Sequence, residues 1–278
     1  MLRPDRHDVT ETLAWDDQEH AVAFDYLSRM PGFFVKEFYE SFNECRILNR
    51  LQKEIRGRKF FEIGCATGEL YRYITRNMSQ FQYHGFDISK PGIARAKSKY
   101  PRGTFHILSH GFEEIKQKFG KPDVVWCRDV VLHQAKPYDF LNDLIDLSNE
   151  VIIVRLRTRD VGETVMDVDV SCQLHWDKFW VPYIVLNTDE LIKKISENKN
   201  VKKIIIGRRY EVLGGHNYRY LPKELYFKDC GTAETAVFIQ KTEEFNDSVD
   251  VSFVDDLGAE GKCGLPYRIT SKILRLLS

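Results

Sequence analysis

Residues 59–70 read KFFEIGCATGEL. An apolar run closes on an acid, two glycines follow four positions apart, and a helical pattern begins. A strand that runs into a Gly-rich turn and then a helix opens an α/β unit, and the backbone amides at the start of such a helix face a ligand. Two things then need reading: whether the unit repeats, and which ligand the turn suits.

The unit repeats. GELYRYITRNM (68–78) has helical spacing, QYHGFDI (82–88) reads as a strand, and SKPGIARAKSKYP (89–101) as a helix with Ser89 as its cap and Pro91 in its first turn. GTFHIL and GFEEIKQKFG give the next strand and helix, and PDVVWCRDVVL and DFLNDLIDLS the pair after that. EVIIVRLRT, NTDELIKKISENK, VKKIIIGRRYEVL and ETAVFIQK complete the series, the last two with no helix between them. Repeated strand–helix units predict a parallel sheet covered on both faces, and the directly joined pair at the end predicts a reversed last strand. The expected fold is therefore α/β and Rossmann-like, with seven mostly parallel strands, the last antiparallel.

This alternation places the main domain at residues 57–241. Residues 1–56 precede it, with Phe34, Phe38, Phe42, Leu48 and Leu51 at helical intervals and Gly57 closing the run. They predict a helical extension that caps the site or forms a homodimer face. Residues 158–187 and 214–232 stand outside the alternation and are expected to be substrate-side insertions, and 242–278 a tail.

Composition narrows the function. The 278 residues hold 41 Lys+Arg against 41 Asp+Glu, so no net positive charge favours a nucleic-acid partner. Six scattered cysteines without a C-x-x-C pair argue against a zinc site or disulfide framework and suit a reducing compartment. The N-terminal MLRPDRHDVTETLAWDDQEH lacks an apolar signal-peptide core, and no apolar run is long enough to span a bilayer. The expectation is a cytoplasmic protein with no membrane or nucleic-acid partner, and no metal.

A nicotinamide or flavin turn would read G-x-G-x-x-G around a pyrophosphate. Here Ala66 replaces the middle glycine, the third is absent, and Glu69 would set a carboxylate in the first helical turn. The pattern instead resembles the first motif of class I S-adenosylmethionine-dependent methyltransferases, with Glu62, Gly64, Ala66 and Gly68 at its defined positions. Asp87, about 20 residues past the turn, falls where an acid meets ribose hydroxyls. DVVWCRDVVLHQ resembles the family's fourth motif through Asp123, Cys127, Arg128 and His133.

The resemblance implies S-adenosylmethionine as cofactor and S-adenosylhomocysteine as product. It puts the methionine end at Glu62 and the turn Gly64-Cys65-Ala66-Thr67-Gly68, the ribose at Asp87 and the adenine beside Ile88, with Cys127 and Arg128 nearby. The chain departs from the family after the third strand, where an acid near the adenine amino group is usual. Ser109, Phe112 or Glu113 stands there instead.

Methyl transfer from a sulfonium chiefly requires alignment, and a base only when the nucleophile carries a proton. His133, His175 and His216 are the candidate bases, each with local packing as the alternative. Around His175, Trp176, Trp180 and Tyr183 suggest an aromatic lid. Arg155 and Arg157 share one side of their strand and could clamp an anionic acceptor, or could pair with Asp160 or Glu163. Arg208 and Arg209 pose the same choice.

The expected function is methylation of a small molecule, on an oxygen of a sugar, natural product or other metabolite, anionic if the arginines grip it. A nitrogen acceptor, a non-catalytic relative that only binds, and a nucleotide-dependent oxidoreductase are the alternatives.

Overall fold

The computed structural model describes residues 9–29 (of 24–29, the backbone), 39, 42–175, 178–214, 219–244 and 248–254. Helices α1 (Gln18–Arg29) and α2 (Asn43–Leu51) precede β1 (Lys59–Ile63), which is the KFFEI run itself. There follow α3 (Glu69–Asn77), β2 (Gln82–Asp87), α4 (Lys90–Lys99), β3 (Phe105–Ile107), α5 (Phe112–Phe119), β4 (Val124–Arg128), α6 (Pro137–Leu147) and β5 (Val151–Arg159). Short strands β6 (Cys172–His175), β7 (Phe179–Pro182) and β8 (Leu186–Asn187) lead to α7 (Thr188–Ser196) and β9 (Val201–Tyr210). The described chain closes with β10 (Arg219–Tyr220), β11 (Ala233–Lys241) and β12 (Asp250–Phe253).

The main sheet runs β12-β9-β11-β5-β4-β1-β2-β3, with β8 added beside the end of β5. Strands β1 to β5 are mutually parallel. β11 is antiparallel to both of its neighbours. Among the described residues the main sheet has nine strands where seven were expected; β11, the last of the expected series, is the reversed one. β12, from the stretch read as tail, lies parallel on the sheet's outer edge. The two insertions also pair with each other, β10-β6-β7 making a separate three-stranded sheet.

Alternation along the strands sorts the core into two layers. Phe60 packs with Trp126, Ile153 and Phe238 under Leu48, Leu70 and Ile74 of α2 and α3. Phe61 points the other way, with Val125 and Ile152 against Leu141 and Leu144 of α6 and Leu191 of α7. Each such side chain, when fully buried, contributes about 1.5–3 kcal/mol. Local signals then fix where helices begin: the Ser89 hydroxyl accepts from Gly92 N–H at 3.1 Å and the Asn187 side chain from Glu190 N–H at 2.9 Å.

The chain leaves β1 toward β2 and β3 on one side and reaches β4 and β5 on the other. Strand order reverses between β1 and β4, which opens a crevice beyond their C-terminal ends. Among the described residues, no helix is long and apolar enough to cross a membrane.

Candidate functional site

That crevice holds a cavity of about 400 Å³. Its floor is the turn after β1, its sides the ends of β2 and β4, and its outer wall residues of the N-terminal segment with His175. The turn takes its shape from three left-handed residues, Gly64 (φ 82°), Ala66 (φ 45°) and Gly68 (φ 80°). A Cβ on Gly64 would lie 2.4 Å from Val130 Cγ2, so glycine is what allows the turn to close against the exit of β4. Ala66 lacks that freedom, and its conformation is held from outside: its N–H donates to Asp87 Oδ2 at 2.7 Å. Asp87 Oδ1 accepts from Ser89 N–H at 2.8 Å. Burial raises the Asp87 carboxyl, against the pull of those two backbone donors.

Two acids flank the turn differently. Glu62 lines the cavity, is buried, and accepts a very short hydrogen bond from Tyr83 Oη. Burial pushes its carboxyl up to about 8, although the Tyr83 bond acts the other way. Glu69 turns away to Lys99 and to Tyr100 Oη, the latter at 3.0 Å. The Thr67 hydroxyl is buried at the turn with no hydrogen-bond partner among the described residues.

His133 ends a short 3₁₀ turn after β4 and lines the cavity. Its Nδ1 lies 2.7 Å from Pro182 O. A carbonyl can only accept, so Nδ1 carries the proton and Nε2 is the basic nitrogen. Burial lowers the ring to about 4, so it is neutral at ordinary pH. His175 also lines the cavity, with its Nε2 2.8 Å from Nδ1 of His20. Burial, then the nearby His20 and His133, bring His175 down to about 3. The Trp15 ring lies 4.7 Å from each of the His133 and His175 rings.

The arginine pair does not reach the cavity wall. Arg155 and Arg157 do share a side, as alternation predicts, but the buried pair faces protein carboxylates. Arg155 donates to Asp129 at 2.9 Å and to Glu234 at 2.5 Å, and Arg157 to the same two at 3.0 and 3.3 Å. These partners differ from the expected Asp160 and Glu163; Asp160 instead takes Arg208 at 2.9 Å, and Glu234 also takes Arg209. Burial alone would raise Asp129 and Glu234, but the arginines hold both carboxyls well below their usual range. Glu234→Ala would leave buried guanidinium charge uncompensated and is expected to cost about 3–5 kcal/mol, read as a shift in the urea midpoint. Both folded carboxyls titrate below their unfolded values. Their stabilisation is therefore present above the usual carboxylate pKa and is lost as pH falls through the depressed folded values.

The other expected ligands divide. Cys65, Ala66, Thr67, Ile88 and Arg128 line the cavity. Arg128 is ion-paired to Glu44 at 3.0 Å and lies over the Phe42 ring. Cys127 is buried in the sheet's core, away from the cavity. Ser109 borders a different, 260 Å³ cavity, and Phe112 packs behind Phe140 at 5.4 Å, leaving Leu108 and Phe140 to line the main one. Trp180 is buried against Tyr220 in the small sheet, 4.9 Å between ring centroids. Trp176 and His216 lie outside the described residues.

Sequence patterns alone did not mark Trp15, His20, Tyr39, Leu108 and Phe140, all of which line the cavity. Only Trp15 left a trace, as a single aromatic in the polar run TETLAWDDQEH. Among the described residues, no group of His, Cys, Asp and Glu could hold a metal ion.

Residues 61–165 match the family described as "Methyltransferase domain". Solved structures share the fold at low identity. The N-terminal domain of EvdMO1 with SAH bound aligns at 14% identity with a TM-score of 0.52, over 77% of this chain and 85% of that one. Magnesium protoporphyrin IX methyltransferase (ChlM) from Synechocystis PCC 6803 with bound SAM aligns at 14% and 0.50, over 85% and 100%. The StiE O-MT, residues 961–1257, aligns at 11% and 0.50, over 74% of each. No curated protein matches the chain significantly.

Proposed function

The chain carries a class I S-adenosylmethionine-dependent methyltransferase domain, and we propose that it methylates a hydroxyl oxygen of a small molecule. The observation that carries this reading is that His133, whose Nε2 is the basic nitrogen, lines the same cavity as the turn and Asp87.

The residues present fit the cofactor. Asp87 spends one lone pair of each oxygen on a backbone N–H and keeps others for the two ribose hydroxyls. Ile88, Leu108 and Phe140 give the adenine an apolar slot. Gly64, Cys65, Ala66 and Gly68 N–H already donate within the protein, so the Thr67 hydroxyl, with no partner among the described residues, is what suits the methionine carboxylate, and Glu62 its ammonium. Bound there, S-adenosylmethionine supplies a sulfonium-linked methyl group that is already activated for in-line displacement. His133 Nε2 would accept the proton of an acceptor hydroxyl whose oxygen takes the methyl group, with the C–S bond breaking and the thioether sulfur as the neutral leaving group. Pro182 O keeps the imidazole in the tautomer that can do so.

Glu62 adds a proton-linkage prediction. With its carboxyl raised to about 8, it is protonated at pH 6.5 before ligand binds. An ammonium placed beside it favours the carboxylate, so binding releases a proton. Calorimetric titration of S-adenosylhomocysteine at pH 6.5, in two buffers of different ionisation enthalpy, should report release of about one proton. Glu62→Gln should abolish that release.

The reading is tested by calorimetry with S-adenosylhomocysteine and by transfer of label from methyl-tritiated S-adenosylmethionine to hydroxylated and aminated acceptors. Micromolar binding and transfer to hydroxyl acceptors, dependent on His133, are expected. A folded protein that does not bind the nucleoside supports the non-catalytic alternative, and transfer confined to amines supports the nitrogen one. Cys45, Cys65, Cys127 and Cys230 are buried and outside any disulfide, which fits a reducing, cytoplasmic location.

A further inference from the structure

Resting on that reading, we propose that the acceptor is an uncharged aromatic hydroxyl compound, selected by the N-terminal strap of residues 9–21, with its ring against Trp15 and its hydroxyl at His133.

The strap is tied down at both sides of the cavity. Val9 bridges to Trp180, and Thr10 N–H donates to Trp180 O at 2.8 Å. The Glu11 carboxylate accepts from Ala135 N–H at 2.7 Å, just past β4. Asp16 accepts from Lys90 N–H at 2.8 Å, at the start of α4. His20 then joins His175 of β6. These bonds carry the strap from the small sheet, past the exit of β4, to the exit of β2. The cofactor elements lie beneath it, and Trp15 comes down beside His133. Trp15 is half-buried and lines the cavity, so part of its ring is open to a ligand.

The chemistry of this end is aromatic, and its lining acids are already engaged by the protein, Glu11 on Ala135 N–H and Asp129 on Arg155 and Arg157. Trp15, His20, His133 and His175 form one cluster of rings, and burial lowers all three imidazoles. Gln173 adds a neutral hydrogen-bonding group. Arg128 is the one Lys or Arg in the described lining, and Glu44 holds it. Arg155 and Arg157 are held by Asp129 and Glu234. Arg219 stacks on the Tyr183 ring, outside the lining. A carboxylate or phosphate on the acceptor would lose its hydration here with no unpaired cation in the described lining to replace it. A planar ring gains the offset or edge contacts that indole and imidazole offer.

The test uses calorimetry on the full chain saturated with S-adenosylhomocysteine, with three probes. These are naphthol, hydroxynaphthoate (the same ring bearing a carboxylate) and methyl glucoside. Naphthol is expected to bind at least about tenfold more tightly than either of the others. Trp15→Ala should remove about tenfold of that affinity, and Trp15→Phe should restore most of it. Both variants should keep S-adenosylhomocysteine affinity within about twofold, since their change lies outside the nucleoside contacts. Equal or tighter binding of hydroxynaphthoate or glucoside overturns the proposal. So does binding of none of the three, or indifference to Trp15→Ala. Failure of S-adenosylhomocysteine itself to bind overturns the underlying methyltransferase reading instead, so the two failures are told apart.

Discussion

His133→Ala is expected to lower single-turnover methyl transfer to a hydroxyl acceptor by about 10²–10⁴-fold, the usual worth of a positioned general base. S-adenosylhomocysteine should bind the variant about as well as it binds the parent, because the turn and Asp87 are untouched. The size of the loss follows from what remains. The methyl group is activated already and alignment survives, so only removal of the acceptor's proton is impaired. His133→Gln separates chemistry from packing: it fills the space and can still donate to Pro182 O, yet it offers no basic nitrogen. The pH profile gives a second readout. Burial brings His133 down to about 4, and the neutral ring is the active form. The rate limb owed to this residue should therefore fall only as pH drops toward 4 and be flat at neutral pH, without the usual inflection near 6.5. A loss below about fivefold in both variants would mean that the proton leaves by another route.

The parts of this site legible in the sequence are those set by local chain geometry. The turn after β1 shows itself because a strand, two spaced glycines and a helix are contiguous. Asp87 shows itself because the βαβ unit fixes how far along the chain the next strand ends. His133 follows from its place just past β4. What stayed hidden depends on long-range register. Arg157 faces Glu234 because the two residues are directly opposite in the β5–β11 pairing, 77 positions apart in sequence. The second partner, Asp129, reaches both arginines from a left-handed backbone (φ 57°) that no propensity marks. A same-side arginine pair in a strand thus resembles an anion clamp, and only the tertiary fold shows its charge already neutralised. Trp15 was hidden for a related reason: its strap has few local signals and is held by bonds to Trp180, Ala135 and Lys90. Leu108 and Phe140 are ordinary apolar residues until the fold brings them to one cavity.

Asp87→Ala is expected to weaken S-adenosylhomocysteine binding by about 100-fold or more. Hydrogen bonds to a charged group are worth about 1.5–3 kcal/mol each, and two ribose hydroxyls are at stake. The same carboxylate also holds Ala66 N–H, and so steadies a non-glycine residue in the left-handed region. A loosened turn therefore adds to the loss of the ribose contacts, and two further measurements divide the effect. Adding Ala66→Gly to Asp87→Ala supplies a residue that adopts the turn's positive φ without the clamp. Affinity regained in the double variant belongs to the turn, and affinity still missing belongs to the ribose. A 2′-deoxy analogue of the nucleoside makes the complementary cut. The parent should lose affinity for it, while Asp87→Ala should barely distinguish it from the full ligand, because the group that read the hydroxyl is gone. If Asp87→Ala still discriminates as strongly as the parent, the ribose is held elsewhere and Asp87 only shapes the turn. Full recovery of affinity on adding Ala66→Gly would likewise assign Asp87 to the turn alone.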